Sequence, residues 1–254
     1  VDLEVMELFR KCRKNGESKQ DFLVKAAQIE GVYVPALYDV EYNDDGTIKA
    51  FIPKFGAPEK VHKRIIMDMD KAFFPESFVV PNVEIVHDRA VSEIFRGCIR
   101  GCRFCQAGFM NRPVREKSID TISDQCYKLC KNTGYDEVSL TSLSSSDHSQ
   151  IVPLLTKLNE WTDEEKVSLS LPSLRVDGFT DDIMSKIKTV RKSGLTFAPE
   201  AGTQRLRDAI NKNVREDELL ETIIRQMAKA QGVDEDLKER DPLAWVGAMN
   251  NIKS

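Results

Sequence analysis

The sequence lacks any apolar run near the ~18 residues needed to cross a bilayer. It also lacks an excess of basic charge. Its 37 Lys and Arg stand against 41 Asp and Glu, a net charge of −4, so no global attraction draws it to nucleic acid or an anionic membrane surface. The residues after Val1 do not run from a charged stretch into an apolar one, the form of a secretory leader, and the expected compartment is the cytoplasm. Val1 itself falls inside a helical pattern, which gives the expectation of a cut or incomplete gene product. A second Cys-x-x-Cys is missing, and only 3 histidines occur.

The hydrophobic share, 41%, and the charged share, 31%, are those of an ordinary globular protein. A chain of 254 residues can bury a sizeable core as one large domain or two small ones. Six cysteines in a long chain with no secretory leader argue for metal, redox or core roles over a disulfide framework. Cys98, Cys102 and Cys105 are clustered, Cys126 and Cys130 are paired, and Cys12 stands alone.

Apolar residues recur at helical spacing through Val5, Leu8 and Phe9 and again through Phe22, Leu23, Ala26, Ala27 and Ile29. Asn15-Gly16 separates the two helices this predicts. Residues 36–52 read as a hairpin that turns at Asn43-Asp44-Asp45-Gly46, and Pro53, Pro58, Pro75 and Pro81 punctuate an irregular connection. From residue 83 the rhythm alternates. Strands are expected at 84–86, 90–95, 137–141, 167–171 and 195–198, and helices at 118–132, 153–161, 180–190, from Thr203, and at 216–230. Alternation of this kind predicts βαβ units and a parallel sheet. About four βα units stand where a closed barrel needs eight, so the fold class is α/β, a partial barrel or an open sheet. The expected domains are residues 1–82, with helices, hairpin and connection left from a preceding domain; 83–215, the partial barrel; and 216–254, a helical tail.

The segment Phe95-Arg96-Gly97-Cys98-Ile99-Arg100-Gly101-Cys102-Arg103-Phe104-Cys105 directly follows a strand. Its thiols therefore sit on a loop at a strand's C-terminal end, where α/β enzymes place chemistry. The usual iron–sulfur cube takes four cysteines, one per iron. Three would leave one iron open, and an open position marks a catalytic metal site. Gly97 and Gly101 permit positive φ and close approach, and Arg96, Arg100 and Arg103 favour thiolates. A structural zinc site is the competing reading. It prefers two Cys-x-x-Cys pairs or a Cys/His mix, whereas one pair occurs here and His87 lies eleven residues upstream of Cys98. Cys126 and Cys130, on one apolar helix face, read as small buried hydrophobes, with a second cluster or a radical relay as the alternative. Cys12 gets no role.

The pattern C-x-x-x-C-x-x-C, with Phe104 before the last Cys, closely resembles the radical S-adenosylmethionine (SAM) superfamily. The resemblance implies a partial (β/α) radical SAM barrel with a 4Fe-4S cluster on Cys98, Cys102 and Cys105. It also implies SAM chelated at the open iron, and reductive cleavage of SAM to a 5′-deoxyadenosyl radical that acts on an unknown substrate. An electron donor of the flavodoxin or ferredoxin type is then expected. Phe104 would pack near the adenine. Ser142 and Ser144 stand where the superfamily's glycine-rich segment binds the SAM amino group, though the glycines are absent and Ser145-Ser146-Asp147 also reads as a polar turn. Ser173 and Arg175 look like the family's carboxylate-binding Ser-x-Arg, since Arg offers a two-pronged fork. The other reading of Arg175 is a surface ion pair with Asp177 or Asp181. Glu200, in Pro199-Glu200-Ala201-Gly202-Thr203, resembles a Glu-Ser-Gly-Ser segment of methylthiotransferase-like members that would reach ribose hydroxyls or the SAM ammonium. Thr203 is also a plain helix N-cap.

Residues 1–224 resemble the large bacterial radical SAM proteins with a cobalamin-binding-type N-terminal domain, through the runs 31–38, 56–61, 95–109 and 195–212. The D-x-H-x-x-G cobalamin signature is absent. Residues 225–254 resemble the C-terminus of a transposon-encoded TnpV-type protein, which implies a fusion that truncates the barrel. The alternative to a radical SAM enzyme is therefore a non-catalytic iron–sulfur or zinc-binding remnant. The basic residues between Arg96 and Lys117 admit a nucleic-acid reading, but the acidic chain as a whole gives it no support.

Overall fold

Short side-chain caps and apolar stripes set the first elements. In the computed structural model, which describes residues 1–83, 85–178, 180–187 and 197–230, helix α1 spans Asp2–Lys14 and helix α2 spans Lys19–Ala26. Ser18 starts α2 with a reciprocal cap: its hydroxyl accepts from the Asp21 N–H while the Asp21 carboxylate accepts from the Ser18 N–H. Strands β1 (Tyr38–Tyr42) and β2 (Ile48–Pro53) pair antiparallel, as the hairpin pattern predicts, with a register shift at Glu41/Tyr42. These elements belong to a compact unit, Val1–Met67, with its own small core of Ala27, Val34, Leu37, Tyr38 and Ala57.

The second unit starts at Asp68, ahead of residue 83, where the alternating rhythm of the sequence begins. The reason is local packing on helix α4 (Ile119–Thr133). Asp70 accepts from the Ser118 N–H at 2.7 Å just before that helix, and Glu76 takes Lys128 at 2.8 Å and, through its carbonyl, Asn132 at 2.8 Å. Phe74 packs against the core.

The sheet that positions the site has three parallel strands in chain order: β3 (Ala90–Glu93), β6 (Glu137–Thr141) and β7 (Ser168–Ser170). Between β3 and α4 the chain makes β4 (Phe95–Arg96), a short helix α3 (Ala107–Met110) and β5 (Arg115–Glu116). Helix α5 (Ile151–Glu165) links β6 to β7, and α6 (Asp181–Lys186) follows β7. Helices α7 (Gln204–Ala209) and α8 (Glu216–Ala230) close the described chain. The mixed α/β fold with a parallel sheet is the one the sequence predicts, a partial β/α arrangement. Ser118 caps α4 through the Thr121 N–H, and Gly134 ends it at φ 77°, a left-handed stop that costs glycine nothing. Ile122, Cys126, Leu129 and Cys130 of α4 and Leu154, Leu155 and Leu158 of α5 meet Ala90, Val138, Leu140 and Leu169 of the sheet in one core.

Several expectations are corrected. The strand expected at 90–95 is two: β3 pairs with β6, but Phe95 and Arg96 turn away to pair antiparallel with Glu116 and Arg115. Ile85 and Val86 form no strand; Val86 is 93% exposed, with no sheet to bury it, and Glu84 lies outside the described residues. Helix α5 runs beyond the expected 153–161 at both ends, because Pro153 falls within its first turn, where a missing N–H is harmless. Helix α6 stops at Lys186, and residues 188–190 of the expected helix lie outside the described residues. So do Leu195 and Thr196 of the expected fourth strand; Phe197 and Ala198 are not in a strand. Among the described residues no helix is long and apolar enough to cross a membrane.

Leu155, fully buried at 0% exposure, is the test of this core. Leu155→Ala is expected to cost about 2–5 kcal/mol, read as a lowered urea midpoint. Val86→Ala, at 93% exposure, should stay within about 0.5 kcal/mol of the parent.

Candidate functional site

The three clustered cysteines leave the sheet at its C-terminal edge on a loop pinned at both ends. The β4–β5 pair closes the loop's base, through Phe95 opposite Glu116 and Arg96 opposite Arg115. Gly97 follows at φ 96°. A Cβ there would lie 2.8 Å from the carbonyl oxygens of Asn111 and Pro113 and 2.9 Å from Val114 Cα, so only glycine lets the loop's two arms touch. Gly101 is not at positive φ. Its value is close approach: the Asn211 side-chain amide donates to its carbonyl at 2.8 Å and would sit 3.1 Å from an added Cβ.

The turn after α7 grips the same loop. The Arg103 N–H donates to the Ile210 carbonyl at 2.9 Å, and the Arg103 guanidinium donates to the Ala209 carbonyl. Within the loop, the Cys105 N–H donates to the Cys102 carbonyl at 3.1 Å. Cys102 is buried, Cys98 and Cys105 are half-buried, and all three are free thiols. Among the described residues no three His, Cys, Asp or Glu side chains converge on a single point that could hold one metal ion. A cubic cluster makes no such demand, because each thiolate binds a different iron.

The arginines near the cysteines are spoken for. Arg96 Nε donates to both Glu93 carboxylate oxygens, at 2.8 and 3.0 Å. Arg100 reaches across the sheet edge, with Nε donating to Asp147 at 2.8 Å and Nη1 to Asp177 at 3.0 Å. The guanidinium nearest a clustered thiol is instead Arg175, whose Nη1 lies 3.9 Å from Cys102 Sγ. Its Nε and Nη2 donate to the two Asp177 oxygens, both at 2.9 Å, and Nη2 also donates to the Lys212 carbonyl at 2.5 Å. The ion pair with Asp177 exists as one sequence reading had it, but it is internal: the Arg175 and Asp177 side chains are 8% and 13% exposed. Burial pushes the Asp147 carboxyl up, yet the hydrogen-bonded Arg100 guanidinium outweighs it and holds Asp147 below the ordinary carboxylate range. Asp147 in turn holds Arg100 firmly protonated.

The other residues singled out from the sequence surround this core of charge. Ser142 is half-buried; its hydroxyl bonds that of Ser145 at 3.0 Å and accepts from the Ser144 N–H at 3.2 Å. Ser144 is buried beside Asp147. Ser173 and Glu200 are exposed, and both stand in the left-handed region, at φ 61° and 67°. Strained positions of this kind gather at functional sites. Glu200 pairs with the buried Lys212 at 3.1 Å, and the Lys212 ammonium lies 6.0 Å from the centroid of the half-exposed Phe104 ring. The structure thus joins Arg175 to Cys102, and Glu200 to Phe104 through Lys212. Ser142 faces the loop's base across a cleft of about 520 Å³, also lined by Glu93, Phe95, Arg96, Gly97, Asn111, Thr141 and Leu143. The hydroxyls of Ser144 and Ser146, on the connection after β6, are buried without a partner. A free thiol set, a cleft of small-ligand size and unsatisfied hydroxyls at the strand ends fit a cluster with a polar organic ligand beside it.

Sequence reasoning missed the reach of Arg100 to Asp147 and Asp177, Lys212 as a partner in the site, and Asn211 as the loop's clamp. For Asn211 and Lys212 the one signal was their place in the 195–212 run.

The sequence profile of the radical SAM superfamily matches residues 92–234, more than half of the chain. An uncharacterized protein of Methanocaldococcus jannaschii is 30% identical over 199 residues, 75% of this chain and 43% of that protein. A putative methylthiotransferase of the same archaeon is 25% identical over 150 residues, 56% of this chain and 32% of that protein. The chain spans less than half the length of these curated relatives.

Two measurements probe the site without any ligand. Gly97→Ala should loosen the loop, seen as faster amide exchange through residues 97–116, whereas Gly46→Ala, in open space, should leave that exchange unchanged. Burial pushes the Cys126 thiol up to about 12 and the Cys130 thiol to about 11. Both then remain protonated at pH 8.5, so iodoacetamide should label Cys98 and Cys105 well before either, as read by peptide mass spectrometry.

Proposed function

Because the chain belongs to the radical SAM superfamily, we propose that Cys98, Cys102 and Cys105 hold a 4Fe-4S cluster and that SAM is seated beside it and cleaved reductively. Members of the superfamily bind both groups. The observation that carries the reading is the trio of free thiols on a doubly pinned loop at the sheet's C-terminal edge, next to a cleft of about 520 Å³. When bound, the two groups supply one-electron cleavage of a carbon–sulfur bond and hence a 5′-deoxyadenosyl radical.

The chain's own residues would bind and orient. Ser142, which lines the cleft, and Ser144 offer hydroxyls to the SAM amino group. Ser173, in the segment after β7, would offer its hydroxyl to the SAM carboxylate, and Phe104 would offer a ring to the adenine. Glu200 faces the ribose hydroxyls or the ammonium. The left-handed backbone at Ser173 and Glu200 supports a ligand-facing role for both. The electron comes from a donor of the flavodoxin or ferredoxin type. Within the superfamily we place the chain with the large proteins that carry a cobalamin-binding-type domain ahead of this region. The segment resembling a TnpV-type protein is residues 225–254, and the superfamily match runs into it as far as residue 234.

A second reading is a non-catalytic iron–sulfur or zinc-binding remnant. Anaerobic reconstitution separates the two. The expected result is about four irons per chain, a brown chromophore lost in Cys98→Ala, Cys102→Ala and Cys105→Ala, and 5′-deoxyadenosine on adding SAM and dithionite. A cluster without SAM cleavage would establish the remnant, and colourless zinc-loaded protein would sink the cluster altogether. The name of the second relative makes methylthio transfer the first reaction to assay.

A further inference from the structure

Arg175 has five N–H donors, and four contacts already engage them: two to Asp177, one to the Lys212 carbonyl and one to Cys102 Sγ. A residue that grips a ligand carboxylate with its fork would need that fork free, and here it lies on Asp177. Asp177 is itself held from the other side by Arg100, which also grips Asp147. The side chains run as an alternating row, Asp147, Arg100, Asp177, Arg175, with side-chain exposures of 7%, 25%, 13% and 8%. At low exposure such pairs are screened little by water or salt. The row starts at the end of β6, passes through the cysteine loop at Arg100, crosses to the segment after β7 and returns to the loop at Cys102.

We infer that Arg175 is a positioning residue for the cluster: the row of charges holds its guanidinium so that Nη1 donates to the Cys102 thiolate, which raises the cluster's reduction potential. This rests on the proposed ligation by Cys98, Cys102 and Cys105. Reduction adds negative charge to a cluster and its thiolates, and a cationic donor at one sulfur stabilises the reduced form more than the oxidised one. The same contact ties Cys102 in the loop to the segment after β7.

The test is an EPR-monitored redox titration of the reconstituted full chain without SAM, with iron and sulfide counted per chain. Arg175→Met removes charge and donors; Arg175→Lys keeps the charge but cannot span Asp177 and Cys102 together. The inference expects the wild type to load a cluster, Arg175→Met to titrate at a clearly more negative potential, and Arg175→Lys to fall between them. If Arg175→Met loads no cluster, Arg175→Lys decides, since a wild-type potential there overturns the inference and a lower one upholds it. Loaded variants with unchanged potential would overturn it, leaving the proposed function standing. A wild type that takes up no iron would bring down the function, and the inference with it.

Discussion

Arg100 is the residue on which the site's geometry turns. It lies inside the cysteine loop, and its guanidinium spans carboxylates from two different connections, Asp147 after β6 and Asp177 after β7. A guanidinium fork fixes direction as well as distance, so one side chain sets the loop's height and tilt over the sheet edge. Removing one partner of this largely shielded row leaves the others uncompensated. Asp177 then passes the constraint to Arg175, and Arg175 to Cys102 and the Lys212 carbonyl. The loop, two strand ends and the turn after α7 are one electrostatic assembly.

The apolar side of the molecule supports that assembly and stays chemically quiet. Helices α4 and α5 bury Ile122, Leu129, Leu154, Leu155 and Leu158 against the three-stranded sheet. Cys126 and Cys130 are part of this core, and burial keeps their thiols protonated. Two sets of cysteines in one chain thus have different surroundings: one on a polar loop, with Cys98 and Cys105 half-buried and Cys102 buried, the other packed among aliphatic neighbours.

Much of this was legible in the sequence, for identifiable reasons. Helix α4 announced itself through Ser118, its apolar stripe and Gly134, and β6 through Glu137 to Thr141. These are local signals, and local signals survive without knowledge of the fold. The cysteine motif was legible as a motif and as a loop following a strand. What it contacts was not. Arg96, Arg100 and Arg103 looked equivalent as counter-charges to the thiols, yet each is taken by a group distant in sequence or by Glu93. The guanidinium that reaches Cys102 comes from Arg175, 73 residues away. Pairings of this kind depend on how strand ends are placed side by side, which periodicity does not encode. The break between β3 and β4 was hidden for a similar reason: Ala90 to Phe95 is one uninterrupted strand-like run, and only the partner at Arg115–Glu116 diverts its end.

The clamp between the cysteine loop and the turn after α7 is made largely of main-chain groups: the Arg103 N–H on the Ile210 carbonyl, the Gly101 carbonyl under Asn211, and the Ala209 carbonyl under Arg103. A peptide group offers the same donor and acceptor whatever side chain it carries. Sequence drift at residues 209 and 210 therefore leaves their part of the grip intact, while Asn211, which supplies its own amide at φ 55°, has little such latitude. Over evolutionary time the turn can change its surface and keep its hold on the loop, so lineages can diverge around a loop whose shape stays constant.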